Sequence, residues 1–381
     1  MSNTYCIQDD VLNDEEKAVF GRHLERFELS PNIWDLFDEW ISRSDSHVRF
    51  IYLKVFQDDR LIGLGLFLKI KPFDLRASYS RLRDNFLLSL LASIISNISR
   101  NCVYISLRNL ITANITRPFF YQSPKLESIV METMLDYLKK QKEADMITIV
   151  DTSKNDLYYQ NSGFQKYPAS SEAWFNVTQY QDISEYLKSH RSLKRNLSKR
   201  KKQIATTIQQ GPVSEIDQNQ IKDCLECSTK NSRVSNPCQS FFENNIFETN
   251  IFRSNKFIHI IVRVENIIAG FHTFQISGSH LGGVLGGFNR KYSNKSFAYE
   301  RIIVASLEYA IQKNLKQVHY SMVDNYTKLR LLDYLEPCGL YFYSNNPVNR
   351  VIFKKTYPFN DVYGLYMLEQ QGLLKYSSKK K

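Results

Sequence analysis

Apolar runs separated by polar turns and loops define a series of predicted elements over residues 256–330, around which the chain is organised. β-Branched and apolar runs without a helical stripe predict strands, and apolar residues at spacings of three and four predict an amphipathic helix. These patterns predict strands over 257–264, 267–276, 280–288 and 318–322, and a helix over 298–313. The predicted order is therefore a β-hairpin, a third strand, a polar loop, a helix and a closing strand.

The first half of the chain repeats this hairpin with the same spacing. Phe50 stands thirteen residues before Gly63, and Phe257 stands thirteen residues before Gly270. A helix and a strand are predicted after the first hairpin as well, over 126–142 and 146–150. The repetition favours two copies of one fold.

The domain organisation follows from this repeat. We predict a first domain over residues 1–178 and a second over residues 179–381. The predicted fold class is α/β in the broad sense (α+β), with each unit a mixed, mostly antiparallel twisted sheet flanked by helices. Two unrelated α/β domains that share a hairpin are the alternative.

Segments outside the repeat carry weaker patterns. Capping residues and apolar spacing predict short helices within residues 1–46, and residues 171–178 predict the last strand of the first copy. The pattern over residues 216–255 predicts helices. Near the end of the chain we predict a strand at 350–353, a further segment over 362–368 and a solvated, lysine-rich tail.

Composition indicates a folded protein with an anionic partner. Hydrophobic residues make up 43% of the 381 residues, and 50 basic against 39 acidic residues give a net charge of +11. This excess favours a nucleotide-bearing cofactor, a nucleic acid or an acidic membrane surface. The apolar run over 86–95 is shorter than the roughly 20 residues of a membrane span, and no signal peptide is indicated, so we expect a cytoplasmic protein. The single CxxC of Cys224 and Cys227 does not predict a metal site.

Basic residues dominate the segment 182–204, where Leu187, Leu193, Leu197 and Ile204 form only a sparse apolar stripe. Three interpretations stay open: a solvated helix face, a contact for a phosphate-bearing substrate, and a nucleic-acid surface. Few aromatic residues occur in the segment, so base stacking is not indicated.

Several stretches resemble the FemAB-like branch of the GNAT acyltransferase superfamily, in which two GNAT domains share one chain. The predicted order of hairpin, strand, loop, helix and strand is the core order of the GNAT fold. Residues 191–200 are similar to the arginine- and asparagine-rich helix that opens the family's second domain. Residues 286–296 look like its strand-to-loop crossing, and residues 318–328 are similar to its closing strand with a Tyr-x-Lys ending.

The resemblance implies transfer of an acyl group from acyl-CoA, or another activated donor, to a small-molecule amine by direct attack. It implies that Lys328 stabilises the carbonyl oxygen as negative charge develops. It also implies that Tyr326 protonates the leaving group and that Asp324 acts on the amine. A surface or turn position is the alternative for each of the three residues.

The predicted loop at 289–297 departs from the glycine-rich phosphate loop of GNAT enzymes, because residues 290–295 contain no glycine. Glycines let backbone N–H groups approach a pyrophosphate closely. The resemblance still implies that side chains of this loop contact the donor: Arg290, Ser293, Asn294, Lys295 and Ser296. A solvated loop that caps a helix is the alternative.

Other functions stay open beside acyl-CoA-dependent transfer. FemAB-like proteins include members that take the acyl group from aminoacyl-tRNA, so tRNA is a second candidate donor. A catalytically silent GNAT-like protein that binds an anionic ligand or RNA is the alternative from another class, whereas a role at a membrane surface is weakly supported. His259, His272 and His319 lie on predicted strands, where core or cleft positions are expected more often than catalytic ones.

Overall fold

The chain forms two mixed, twisted sheets flanked by helices in the computed structural model, which confirms the predicted fold class. The described residues are 3–9, 11–24, 33–44, 47–71, 90, 102–106, 118–142, 144–198, 203–230, 250–322, 326–331 and 333–377. The apolar run predicted over 86–95 lies outside them apart from residue 90.

The elements confirm both predicted hairpins and the helix and strand after each. Up to residue 168 the chain forms β1 (Thr4–Asp9), α1 (Asp14–Leu24), α2 (Ile33–Ser42), β2 (Val48–Gln57), β3 (Arg60–Ile70), β4 (Cys102–Ser106), β5 (Phe119–Tyr121), α3 (Glu127–Lys140), β6 (Ala144–Thr152), α4 (Asp156–Asn161) and β7 (Gln165–Pro168). It continues with β8 (Glu172–Asn176), α5 (Ile183–Ser189), α6 (Arg191–Ser198), β9 (Ile204–Gln210), α7 (Glu215–Lys230), β10 (Ile258–Val264), β11 (Ile267–Ser277), β12 (His280–Phe288), α8 (Arg290–Ser296), α9 (Ala298–Gln312) and β13 (Gln317–Met322). The last elements are α10 (Tyr326–Leu331), β14 (Tyr334–Glu336), β15 (Cys338–Tyr343), α11 (Pro347–Thr356) and α12 (Asp361–Ser377).

The glycines that mark the sequence repeat occupy equivalent, crowded positions. Gly63 lies on β3 and Gly270 on β11, each the second strand of its hairpin. A Cβ at Gly63 would lie 2.4 Å from a methyl carbon of Val130 on α3, and a Cβ at Gly270 would lie 2.6 Å from the Phe288 ring. Both hairpins therefore need glycine because a neighbouring side chain packs directly on the strand.

The two sheets exchange one strand each across the predicted domain boundary. Their strand orders are β1-β2-β3-β4-β6-β15-β7, with β5 beside β3, and β14-β8-β13-β12-β11-β10-β9. Thus β8, predicted to close the first copy, pairs with β13 and β14 in the second sheet. In return β15 pairs with β6 and β7 in the first sheet. The exchange places residues from both halves in the second sheet, and the boundary at 178/179 itself stays a prediction.

Two local predictions were wrong. The loop predicted at 289–297 contains α8, because the Asn289 side chain accepts the Lys291 N–H and caps a helical turn. The strand predicted at 350–353 lies inside α11, which Asn346 caps.

Other segments agree with their patterns and add detail to them. The helices predicted within residues 1–46 are confirmed as α1 and α2, and β1, which was not predicted, extends the first hairpin by pairing with β2. In the basic segment, α5 and α6 are separate helices with a break at His190.

The faces of the second sheet pack against different elements. One face carries Phe274, Leu281, Val318 and Tyr320 and forms a core with α9. The other face contributes residues such as Phe271 to a core that also includes α7 and the first sheet. Because neighbouring residues on a strand point to opposite faces, every side chain on the strands of the second sheet belongs to one of these two environments.

Candidate active site

The parallel strands β12 and β13 part near the middle of the second sheet. They pair only through His280 to Gly282 on β12 and Gln317 to His319 on β13. Beyond these residues β12 continues to Phe288 and stays paired with β11. Backbone groups on the other side of β12 therefore border an opening between two strands, which can admit a ligand.

The corresponding strands of the first half stay in contact for longer. β4 and β6 pair through Ile105 and Thr148, and the Ser106 hydroxyl then accepts the Val150 N–H at 3.2 Å. Asp151, next on β6, is fully buried and accepts a hydrogen bond from the Tyr159 hydroxyl at 2.8 Å. In the first half, protein groups thus occupy the position that corresponds to the opening between β12 and β13.

His272 lies against the glycines of β12 at the opening. A Cβ at Gly283 or at Gly286 would lie 2.5 Å from a ring nitrogen of His272, so the imidazole occupies the space that those glycines leave. Burial lowers the pKa of His272 to about 3, and the nearby charge of Lys328 contributes. The imidazole is therefore uncharged at neutral pH and can accept a hydrogen bond.

Lys328 is a buried residue on α10, with 4% of its surface exposed. Its positive charge helps to lower the pKa of His272, so the two side chains lie near each other. The Tyr186 hydroxyl donates to the Leu331 carbonyl at 3.1 Å and holds the end of α10. Just after it, the Asp333 carboxylate accepts hydrogen bonds from the Asn176 N–H and the Tyr180 hydroxyl, at 2.8 and 2.9 Å.

The other two predicted catalytic residues are described only in part. Asp324 lies outside the described residues. Tyr326 begins α10, but only its backbone is described. Lys328 is thus buried near His272, and the catalytic roles of all three residues stay predictions.

The predicted donor contacts lie on α8, at the end of β12. Arg290, Asn294 and Lys295 are exposed, and Ser293 is half-buried. Ser296 is buried, at 1% exposure, and its hydroxyl donates to the Ser293 carbonyl at 3.1 Å. Four of the five side chains are therefore accessible to an anion, and the Ser296 hydroxyl is already used within the helix.

Arg301, which the sequence did not single out, joins the two basic helices α6 and α8. Its guanidinium donates to the Ser296 carbonyl of α8 at 2.9 Å and to the Leu197 carbonyl of α6 at 2.8 Å. The C-terminal ends of α6 and α8 therefore meet at this side chain. The exposed cations of the two helices are Arg191, Lys194, Arg195, Arg290, Lys291 and Lys295. No motif marks Arg301, because it stands inside an ordinary amphipathic pattern.

Acid should destabilise the fold through its buried histidines. Burial lowers the pKa of His259 from 6.5 to about 4. Below pH 6.5 the His259 imidazole is protonated in the unfolded chain but not in the folded chain. The free energy of unfolding therefore falls by about 1.4 kcal/mol per pH unit until the pH reaches the pKa of the folded state. Free energies of unfolding, measured with urea between pH 7 and 5, should fall less steeply with decreasing pH in His259→Asn, by this amount per pH unit. The same slope in both proteins would contradict the effect of burial.

Comparison with known proteins identifies the fold. No protein-family model matches the chain, and no curated protein sequence matches it. The solved structure of L-PGS from Bacillus licheniformis is similar, with a TM-score of 0.54 and 10% identity over 91% of this chain and 96% of that one. FemX has a TM-score of 0.54 and 11% identity over 91% and 99% of the two chains. A tandem GNAT protein from the clavulanic acid biosynthesis pathway, solved without AcCoA, has a TM-score of 0.53 and 9% identity over 91% and 99%.

These likenesses extend over nearly the whole chain and define its class of fold. The chain has a fold of the tandem GNAT type, with the opening between β12 and β13 in its second sheet. Among the described residues, no helix is long and apolar enough to span a membrane. In the same part of the chain, no group of three His, Cys, Asp or Glu side chains is placed to hold a metal ion.

Proposed function

We propose that this chain is an acyltransferase of the FemAB-like branch, acting in the cytoplasm, that transfers an acyl group from an activated donor to an amine by direct attack. One observation carries the proposal: β12 and β13 pair over only three residues each, and the uncharged His272, which lies against the glycines of β12 beyond this pairing, is near the positive charge of the buried Lys328. A gap between strands, bordered by backbone N–H groups and a fixed positive charge, suits a carbonyl group that becomes negatively charged in the transition state.

Lys328 and His272 would have different roles in this reaction. The Lys328 ammonium would stabilise the carbonyl oxygen as the tetrahedral intermediate forms. His272 binds a proton weakly, since its pKa is about 3, and it would accept a hydrogen bond that orients the amine. Tyr326 and Asp324 would act on the leaving group and on the amine, as the sequence resemblance implies.

We propose acyl-CoA as the first candidate donor, with its phosphates on α8. Arg290 and Lys295 are exposed there, and Ser293 and Asn294 can donate hydrogen bonds to phosphate oxygens. A CoA donor would then extend from these cations along β12, with its thioester at the opening.

An RNA-borne acyl group is the second candidate donor. The observation that favours it is the meeting of α6 and α8 at Arg301, which adds Arg191, Lys194 and Arg195 to the cations of α8. An RNA bound there would contact more cations than a CoA molecule, so its affinity would fall steeply and log-linearly with salt. A silent protein that binds an anionic ligand would show binding without transfer.

A transfer assay with labelled donors separates these functions. Acetyl-CoA, longer acyl-CoAs and aminoacyl-tRNA are each incubated with the full chain and a panel of small amines, and labelled amide is measured. The proposal expects amide from at least one donor, with weaker donor binding in Arg290→Ala. Binding of a donor without any amide product would instead support the silent binding protein.

A further inference from the structure

Two buried titratable side chains lie at the base of the opening, on the face of the sheet opposite His272. Glu172 on β8 and His319 on β13 are 3% and 1% exposed. The His319 Nε2 and Glu172 Oε2 atoms lie 3.1 Å apart, an ion-pair distance without the alignment of a full hydrogen bond. A carboxylate in this position stabilises the positive charge that an imidazole gains when it accepts a proton.

His319 stands where the two strands part. It is paired with Gly282 in the last paired position of β12 and β13. A Cβ at the next residue, Gly283, would lie 3.4 Å from the His319 carbonyl oxygen. A gap between two strands reaches both faces of a sheet, so a group bound in the opening can approach the face that carries the imidazole, opposite His272.

Trp174 holds the imidazole in place. The Trp174 and His319 rings stack with their centroids 4.0 Å apart and an angle of 19° between their planes. Trp174 and Glu172 lie on the same face of β8, so this one strand supplies both the ring that orients His319 and the carboxylate beside it. The buried indole N–H of Trp174 has no hydrogen-bond partner among the described residues, which leaves a donor there for a ligand.

Acyl transfer to an amine needs a group that takes the amine's proton. The uncharged imidazole of His272 holds a proton too weakly for this task, since its pKa is about 3. A general base is most effective when a second group orients it and stabilises its charge. His319 beside Glu172 has this arrangement at the base of the same opening.

We propose that the Glu172–His319 pair accepts the proton of the attacking amine. The amine nitrogen forms a bond to the acyl carbonyl carbon, and the bond from that carbon to the donor's sulfur or oxygen breaks. The amine proton passes to His319, which takes the role that the sequence resemblance implies for Asp324, and it then reaches the leaving group. This inference rests on the proposed function, and it makes the site depend on the strand exchange, because Glu172 and His319 come from opposite sides of the predicted domain boundary.

The pH dependence of the transfer rate tests the pair. Single-turnover rates are measured for the full chain and for Glu172→Gln from pH 6 to 9, with the donor and amine that give the highest wild-type rate. Near pH 6.5 the variant should be about 10²-fold slower. The loss should shrink at high pH, where the amine is already deprotonated. His259→Asn is the matched control, since His259 is equally buried on the same face and lies on β10, which β11 and β12 separate from β13.

The outcomes separate the pair from a general loss of structure. In the described part of the chain, the titratable groups around the pair on this face are His280 on β12 and Tyr334 and Glu336 on β14, and Glu336 is paired with Glu172 in the sheet and lies 3.8 Å from the Lys154 ammonium. An equal rate loss at every pH, or a similar loss in His259→Asn, would overturn the inference.

A second measurement works without any turnover. In protein labelled with 13C-histidine, the Cε1–H resonance of His319 should change in Glu172→Gln while that of His259 stays the same. An unchanged His319 resonance would overturn the pair. Absence of transfer by the wild type for every donor would overturn the proposed function and the proton-accepting role together. The His319 resonance would still show whether Glu172 and His319 are in contact.

Discussion

Replacing Lys328 with methionine is expected to lower kcat for acyl transfer by about 10²–10³-fold with little change in the KM for the donor. Methionine keeps much of the length and apolar character of the lysine stem, so α10 can still pack. What is lost is the positive charge, which would act mainly on the oxyanion of the transition state. Initial rates at saturating and subsaturating donor measure this split between kcat and KM.

Lys316→Met is the matched control for this effect. Lys316 is exposed and precedes β13, so its replacement removes the same charge from the chain outside the opening. We expect wild-type rates in the control. Equal rate losses in both variants, or a Lys328→Met loss that appears only in KM, would contradict the oxyanion role.

Replacing Glu369 with leucine is expected to lower the free energy of unfolding by about 3–5 kcal/mol. Glu369 lies on α12 and is 3% exposed. Its carboxylate accepts hydrogen bonds from the Ser171 N–H at 2.7 Å, from the Ser171 hydroxyl at 2.8 Å and from the Ser170 hydroxyl at 3.0 Å. These serines connect β7 of the first sheet to β8 of the second. Urea unfolding followed by circular dichroism measures the loss.

Two further variants define the cause of that loss. Glu369→Gln keeps one side-chain oxygen as an acceptor, so we expect a smaller loss than in the leucine variant. Glu132→Gln removes a carboxylate from an exposed position on α3 and should change stability by less than about 0.5 kcal/mol. A leucine variant as stable as this control would show that the serines do not depend on Glu369.

The sequence predicted the parts of the fold that depend on local spacing. The hairpins around Gly63 and Gly270 were found because strand periodicity and turn residues lie close together in the chain. The turns use Asp58, Asp59 and Glu265 at positive φ, with angles of 48°, 60° and 56°. The polar pairs Asp58-Asp59 and Glu265-Asn266 were the sequence signal, and the structure confirms both turns.

The same patterns did not predict which strands pair when they are far apart in the sequence. Nothing in residues 172–176 distinguishes a strand that pairs with β6 from one that pairs with β13, because both partners are apolar strands. A single residue, Pro337, separates β14 from β15, and it carries the chain from one sheet to the other. Registers of this kind depend on tertiary packing, which one-dimensional periodicity does not record.

The candidate site was predicted in part. Lys328 was singled out because its position matches a family motif, but its burial depends on how α10 packs against α12. His272 was interpreted as an ordinary strand histidine. Its significance follows from Gly283 and Gly286 on the neighbouring strand, and the glycine-rich pattern of 280–288 was the one signal that pointed there.

The most direct test of the account is hydrogen–deuterium exchange of the full chain with and without saturating acyl-CoA. The acyl-CoA used is the one whose acyl group gives the protein the largest thermal stabilisation. The central claim is that the donor occupies the opening between β12 and β13. We expect slower exchange of the backbone amides of residues 283–288 and no change over β4 and β6. Protection confined to β4 and β6, or no protection of β12 at saturation, would contradict the claim.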